Sequence, residues 1–457
     1  MQNAKLADFF TRPIVPMHSL EQLQSGELAG ITRLDLSCGL REFPEAIFSL
    51  ADSLEVLNLS GNQLDSLPAD LPRLHRLRVL FCSDNSFAEV PAVLGQCAQL
   101  EMIGFKANQI RHLPAVALPA KLRWLILTDN QLEQLPDELG RCLQLQKLML
   151  AGNRLRELPA SLANCHNLEL LRIAANQLTE LPGWLLNMPR LAWLAFAGNP
   201  LCAQAEATAL ATHPIASIDW QQLSLGQILG EGASGIIQQA CWQTSDAAAQ
   251  NVAVKLFKGA VTSDGLPHSE MSACIAAGSH ANLIGLHGRL SQHPDQTPGL
   301  VLELIDPDFI NLANPPSLES CTRDIYSTDR QFSLAMLLRL AQRIASACAH
   351  LHAQGINHGD LYGHNILHNA QGDCLLGDFG AASFYNQANQ SQAIALQRLE
   401  VRAFACLLEE LLERCQIIGD TRAITEALWA LQKACNQTNI AARPLFKVIE
   451  LQLRKLQ

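Results

Sequence analysis

From Ile31 to about Leu201 the chain alternates apolar and polar positions with a fixed long period. Leucines open successive units at Leu54, Leu77, Leu100, Leu122, Leu145, Leu168 and Leu191, at spacings of 23, 23, 22, 23, 23 and 23 residues. Each unit reads L-x-x-L-x-L-x-x-N-x-L-x-x-L-P, as in Leu145 to Pro159, and Ile31, Leu34 and Leu36 open an earlier unit that lacks the Asn. The L-x-L core predicts a short strand with both leucines inward, and the Leu-Pro pair predicts a turn back along the opposite side. No unit can bury its leucines alone, so about eight coils must stack and the two ends need caps. Residues 1–30 and 202–218 are the expected caps, the second also serving as a linker.

This period and motif are those of leucine-rich repeats. The Asn of each unit, at Asn62, Asn85, Asn108, Asn130, Asn153, Asn176 and Asn199, is expected to satisfy backbone groups of neighbouring coils. The strand positions between the leucines face the concave side. Among them Val79, Phe81, Met102, Trp124, Ile126, Met149, Leu170, Arg172 and Trp193 form a largely apolar surface, suited to a protein partner or to packing on the chain's own second domain.

Near Trp220 the period disappears and a new pattern begins. Gly230-Glu231-Gly232-Ala233-Ser234-Gly235 lies between two apolar segments that read as strands joined by a turn, and Val252-Ala253-Val254-Lys255 follows on another alternating run. Such glycines let backbone N–H groups approach phosphates, and Lys255 supplies a charge for them. Glu270, on a predicted helix, is the expected ion-pair partner of Lys255. A buried strand from Gly299 to Glu303 leads toward Ile305; its backbone suits the edges of adenine, with Ile237 and Ala253 above the ring and Leu367 below. A helix is predicted from Ser333 to Gln354. It opens into His358-Gly359-Asp360-Leu361-Tyr362-Gly363-His364-Asn365, with Asp378-Phe379-Gly380 beyond a short hairpin.

In that order these motifs resemble the protein kinase family over residues 220–457. The resemblance implies that Asp360 orients and deprotonates an acceptor hydroxyl. It also implies that Asn365 and Asp378 hold Mg²⁺, a hard cation suited to oxygen ligands, and that ATP is the phosphate donor. Three departures stand out. Gly359 replaces the Arg usual before the catalytic Asp, so a cation that reads a phosphorylated activation segment is missing. Tyr362 stands where Ser/Thr kinases usually carry a Lys. No Ala-Pro-Glu follows Asp378; with Glu400 opening the next large helix, the segment from Ala381 to Leu399 is short and Arg443 loses its usual partner. His-Gly-Asp-Leu also resembles small-molecule kinases of the aminoglycoside and choline kinase type, and a nucleotide-binding pseudokinase scaffold is a third reading.

Composition narrows the setting. Splitting the chain near residue 215 gives 17 Lys+Arg against 21 Asp+Glu, then 16 against 22, so both halves are acidic and neither offers a phosphate-backbone surface for nucleic acid. The N-terminus is a poor signal peptide and no stretch reads as a membrane span. The fourteen cysteines contain no C-x-x-C pair, and Cys97, Cys142 and Cys165 share one register of the repeats, which reads as small buried hydrophobes in a reducing compartment. The expectation is a cytoplasmic protein that resembles the bacterial type joining leucine-rich repeats to a kinase. It comprises an α/β leucine-rich repeat solenoid over 31–201, then a two-lobed α+β protein kinase-like domain over 219–457 with a shortened activation segment.

Overall fold

The structure, a computed structural model, describes residues 17–232, 234–243, 248–259, 261–416 and 422–456. Contacts divide the chain into two compact units, one ending at Met188 and the other beginning at Pro189.

In the first unit every repeat contributes one three-residue strand, from Arg33–Asp35 through Val56–Asn58, Val79–Phe81, Met102–Gly104, Trp124–Ile126 and Lys147–Met149 to Leu170–Arg172. Neighbouring strands are parallel and in strict register, Leu57 opposite Leu80 and Leu80 opposite Ile103. These central residues are the inward leucines, and Leu57, Leu80, Leu125, Leu148 and Leu171 are fully buried. After the apolar residue-Pro step (Phe43-Pro44, Val90-Pro91, Leu135-Pro136, Leu158-Pro159) the chain returns through a single 3-10 turn, at Glu45–Leu50, Ala92–Gln96, Asp137–Arg141 and Ala160–Asn164; the preceding proline has its φ near the value a turn entry needs.

The asparagine ladder forms as expected. Asn153 Oδ1 accepts the Leu132 N–H at 3.0 Å, while its Nδ2 donates to Leu127 O at 2.8 Å and Leu150 O at 2.9 Å. Asn130 repeats the arrangement with Ile110 and Phe105, and Asn176 with Leu155 and Leu150. A short amide thus joins each coil to the one before it, satisfying buried backbone groups that would otherwise cost about 1–3 kcal/mol each. All fourteen cysteines are free thiols. Burial pushes Cys97 and Cys142 up to about 11 and Cys165 to about 12, as for inert core residues.

Along the concave columns Val79, Met102, Leu170 and Arg172 are buried, and Phe81, Trp124, Ile126 and Met149 are half-buried. The latter four therefore make up the accessible apolar surface. They also support one another: the Phe81 and Trp124 rings meet edge-on at 6.5 Å, and Trp124 Nε1 donates to Met149 Sδ at 3.4 Å.

The second unit has two lobes. The smaller is an antiparallel sheet of Leu223–Glu231, Gly235–Trp242, Gln250–Phe257, Gly299–Glu303 and Leu286–Ser291, with Ser217–Asp219 added in parallel at one edge. Ile218, Val252, Val254, Leu290 and Val301 fill one side of it, and Phe257, Met271, Ile275 and Leu300 bind helix Pro267–Ala277 to the other. The larger lobe is built on helices Leu334–Ala353, Gln390–Glu413, Arg422–Cys435 and Phe446–Arg454. The helix predicted from Ser333 to Gln354 appears as Leu334–Ala353, and the Ser333 hydroxyl caps it by accepting from the Met336 N–H at 3.2 Å. Glu400 does not open a helix: the helix starts at Gln390, so only nine residues, 381–389, separate it from Gly380. Its first ten residues are polar and alanine-rich, a composition that reads as loop until Ala393, Leu396 and Leu399 are seen to be buried. No helix among the described residues is long and apolar enough to cross a membrane.

Candidate active site

Two groups of side chains face the cleft. In the smaller lobe, Lys255 near the end of strand Gln250–Phe257 forms an ion pair with Glu270 on helix Pro267–Ala277. Their side chains are 14% and 2% exposed, so the pair is largely removed from water. Burial alone would lower the Lys255 pKa, but the Glu270 and Asp378 carboxylates outweigh it and hold the ammonium above its ordinary value.

In the larger lobe, Asp360 and Asn365 lie on the loop that follows strand Ile356–Asn357. Asn365 Nδ2 donates to Asp360 Oδ2 at 2.7 Å and to Asp360 O at 3.0 Å. Both amide hydrogens are thereby used, and the amide oxygen remains as an acceptor. His358, fully buried, supports the loop from beneath: its Nε2 donates to Gly377 O at 2.8 Å and its Nδ1 accepts from the Asp360 N–H at 3.3 Å. Asp378 follows strand Cys374–Leu376 with φ +54°, its Oδ1 accepting from the Gly380 N–H at 3.1 Å. The charge of Asp378 acts on Lys255 and Glu270 on one side and on His364 on the other, so this carboxylate lies between the two groups.

The remaining nucleotide-pocket candidates fall along the sheet. Gly230 and Glu231 end one strand and Gly235 begins the next, with Gly232 and Ser234 in the turn; Ala233 lies outside the described residues. The Gly232 N–H donates to Gly235 O at 2.9 Å, which closes the turn. Glu231 is drawn aside into an exposed ion pair with Lys258. Ile237 is paired with Lys255 and Ala253 with Leu302. The Glu303 N–H donates to Gly285 O at 2.8 Å. Leu367 sits half-buried in strand Ile366–His368.

Three supporting residues were not legible as site residues. Asp324, in the long connection from Asn311 to Phe332, holds the loop that carries Asp360 and Asn365: His364 Nδ1 donates to its Oδ1 at 2.7 Å and the His364 N–H to its Oδ2 at 3.0 Å. Burial works against a charged His364, but the hydrogen bond and charge of Asp324, with Asp360 and Asp378, hold its pKa above the ordinary value. The connection is anchored by Arg323, which donates to Glu410 Oε1 and Glu409 Oε2, each at 2.9 Å. Burial, opposed by Arg323 and reinforced by Asp324, pushes Glu410 up to about 7.

Glu400 is the second. Its Oε1 accepts the Gly359 N–H at 2.6 Å and its Oε2 the His352 Nε2–H at 2.7 Å. Full burial favours the neutral acid, yet the His352 hydrogen bond, the imidazoles of His352 and His358 beside it and the Gly359 N–H outweigh it, so the pKa falls below its ordinary value. A carboxyl depressed in the folded state contributes stability above its unfolded pKa, and that contribution is lost as pH falls through the folded value. Glu400→Gln is therefore expected to flatten the decline of stability below about pH 4.5. Denaturant unfolding of wild type and variant from pH 6 to pH 3 measures it, and identical slopes would refute the assignment. An acidic residue isolated in the apolar run Leu399 to Leu408 was the available sequence signal.

Trp193 is the third, and it corrects an expectation. Assigned to the concave partner surface, it is instead 1% exposed and stacked on Tyr362 with ring centroids 4.3 Å apart and planes 5° from parallel. It is not available to a partner.

Residues 223–411 match the protein tyrosine and serine/threonine kinase family, and residues 53–74 and 143–201 match leucine rich repeats. The chain thus joins leucine-rich repeats to a protein kinase domain. It is similar to the probable serine/threonine-protein kinase gdt4 of Dictyostelium discoideum, 27% identical over 154 residues, which are 33% of this chain and 8% of that protein. It is also similar to the serine/threonine-protein kinase Kist of Rattus norvegicus, 29% over 167 residues, 35% of this chain and 36% of the relative. A third is the proto-oncogene serine/threonine-protein kinase mos of Sus scrofa, 27% over 176 residues, 36% and 49%. The chain therefore spans less than half the length of each of these relatives.

Proposed function

We propose that this protein transfers the γ-phosphoryl group of ATP to a hydroxyl of a protein substrate, Ser or Thr in preference to Tyr, in the cytoplasm. The observation that carries this reading is the joint placement of the buried Lys255–Glu270 pair, Asp378 between the two lobes, and Asp360 hydrogen-bonded to Asn365. In this reading Asp360 orients the acceptor hydroxyl and takes its proton as the new O–P bond forms and the bond to the ADP oxygen breaks. Lys255, fixed by Glu270, binds the α and β phosphates, and the backbone of Gly230 to Gly235 covers them. The Asn365 amide oxygen and the Asp378 carboxylate are hard oxygen donors that fit Mg²⁺, which when bound supplies charge stabilisation to the phosphates. Ile237, Ala253 and Leu367 enclose adenine, with the Glu303 carbonyl and Ile305 N–H at its edge.

We assign phosphotransfer to residues 219–457 and recruitment of protein partners to the repeats within 31–201, through Phe81, Trp124, Ile126 and Met149. The preference for Ser/Thr follows the serine/threonine-protein kinase names of the relatives. One observation favours a second reading, phosphorylation of a small molecule: only nine residues lie between Gly380 and helix Gln390–Glu413, which leaves little chain for a peptide platform.

A single experiment separates them. Purified protein is incubated with γ-labelled ATP, Mg²⁺ and cell lysate, and label is measured in protein and in the soluble fraction. Label in protein is expected; label confined to small molecules would establish the second reading. Binding is checked in parallel, because ATP at about 100 times its Kd should stabilise the kinase domain by roughly 2.7 kcal/mol. Absence of any thermal shift at millimolar Mg-ATP would refute both.

A further inference from the structure

The stretch from Pro189 to Ala197 is by sequence the last repeat, yet it is joined to the kinase fold by five hydrogen bonds and two further contacts. The Trp193 ring covers Tyr362, and its Nε1–H donates to Leu361 O at 3.0 Å. The Leu194 carbonyl lies against Gly359, so closely that a Cβ on that glycine would be 2.8 Å from the oxygen. The Phe196 and Ala197 N–H groups both donate to Ser383 Oγ, at 2.9 and 3.1 Å. Arg443 donates to Pro189 O at 2.6 Å, and Arg402 Nε to Arg190 O at 2.9 Å.

All but the Arg402 contact fall at or beside places where the chain departs from the common kinase pattern. Gly359 replaces an Arg, and the space an Arg Cβ would need is filled by Leu194 O and Ala381 O. Tyr362 replaces a Lys, and its ring is the platform for Trp193. Arg443, without an Ala-Pro-Glu partner, spreads its guanidinium over Gln437 O, Arg398 O and Pro189 O. Segment 381–389 offers two hydroxyls for phosphorylation, and both are buried and in use. Ser383 Oγ accepts from Phe196 and Ala197, and Tyr385 OH donates to His352 O at 2.9 Å.

We propose that the last repeat braces the catalytic loop, with Trp193 and Ser383 as positioning residues that hold Gly359–Asn365 and the segment after Gly380 in working geometry without phosphorylation of that segment. The physical reason is that the buried N–H and C=O groups of both partners are satisfied by one another, and neither can leave without stranding the other. Trp193 touches no substrate; it acts through Leu361 and Tyr362. The proposal rests on the phosphotransfer reading above for its kinetic consequence, though not for its structural one.

The test uses full-length protein carrying Trp193→Phe, which keeps an aromatic ring and loses the N–H, Trp193→Leu, which loses both, and Ser383→Ala. Three quantities are read: kcat and the KM for ATP from label transfer, the Mg-ATP thermal shift, and amide hydrogen exchange across residues 359–365. Losing one buried hydrogen bond should lower kcat about fivefold in Trp193→Phe, and losing the stack as well should lower it about tenfold or more in Trp193→Leu. KM for ATP and the thermal shift should change less than about twofold, because the nucleotide groups on the smaller lobe are untouched. Exchange across 359–365 should quicken in all three variants. Wild-type kcat together with wild-type exchange in Trp193→Phe and Ser383→Ala would overturn the proposal, and these milder changes decide it even where Trp193→Leu does not fold. Were wild-type protein to transfer no phosphate at all, the phosphotransfer reading would fail while exchange in the same variants still decided the brace.

Discussion

Asp360→Asn is expected to lower phosphotransfer by about 10²-fold or more while leaving the Mg-ATP thermal shift intact. The variant keeps an oxygen where Asp360 Oδ2 now accepts from Asn365 Nδ2 at 2.7 Å, so the loop retains its inner hydrogen bond. What it loses is the carboxylate's capacity to take a proton from the acceptor hydroxyl. Nucleotide binding should be spared, because Lys255 and Glu270 are held by their own pair in the other lobe. Rate and shift are measured on the same preparation with γ-labelled ATP and a melting curve. Undiminished turnover in the folded variant would remove Asp360 from its proposed role.

Gly359→Ala is expected to be among the most destabilising single-atom additions in the kinase unit. Gly359 has φ +73°, in the left-handed region, and a Cβ there would lie 2.6 Å from Ala381 O and 2.8 Å from Leu194 O. Left-handed backbone costs an L-residue roughly 1–2 kcal/mol. Overpacking against atoms that cannot rotate away adds about 1–3 kcal/mol. Both colliding atoms are backbone carbonyls, so relief requires moving either the last repeat or the segment after Gly380. A loss of about 2–5 kcal/mol corresponds to a fall in Tm of roughly 4–20 °C for a unit of this size. Gly372→Ala is the control: its φ is +80°, but the nearest atom to an added Cβ is 3.6 Å away on the flexible Met336 side chain, so it should show the backbone cost alone. Equal Tm changes for the two variants would refute the steric part of the argument.

The repeat architecture was legible because each unit repeats the same physical problem. A strand of three residues with an inward leucine, an amide to join coils and a proline to turn the chain recur every 22 or 23 residues, so the strands at Val56–Asn58 or Lys147–Met149 fall where the period puts them. The Asp360–Asn365 and Lys255–Glu270 pairings were legible for a related reason. Asp360 and Asn365 are five residues apart on one loop, and their hydrogen bond is local. Lys255 and Glu270 come from adjacent elements of one lobe, with a spacing that the strand-to-helix connection fixes.

Asp324 and Glu400 reach their partners His364 and Gly359 across 40 and 41 residues, and Ser383 reaches Phe196 across 187, separations that no local spacing announces. The start of the large helix at Gln390 was hidden likewise: Asn389 caps it by accepting from the Gln392 N–H at 3.3 Å, but its first turns are held by the tertiary packing of Ala393 and Leu396 rather than by a clear apolar period.

By itself, then, the sequence determined the two folds, the pairing of Lys255 with Glu270 and of Asp360 with Asn365, and the loss of a cation at position 359, because these depend on periodicity and on local chemistry. Only the tertiary structure decided why that cation is absent. The Leu194 carbonyl, 165 residues before Gly359, occupies its place, and Trp193 lies flat on Tyr362. Close packing of two backbones is a property of the folded chain, and a glycine records that it happens without recording with what.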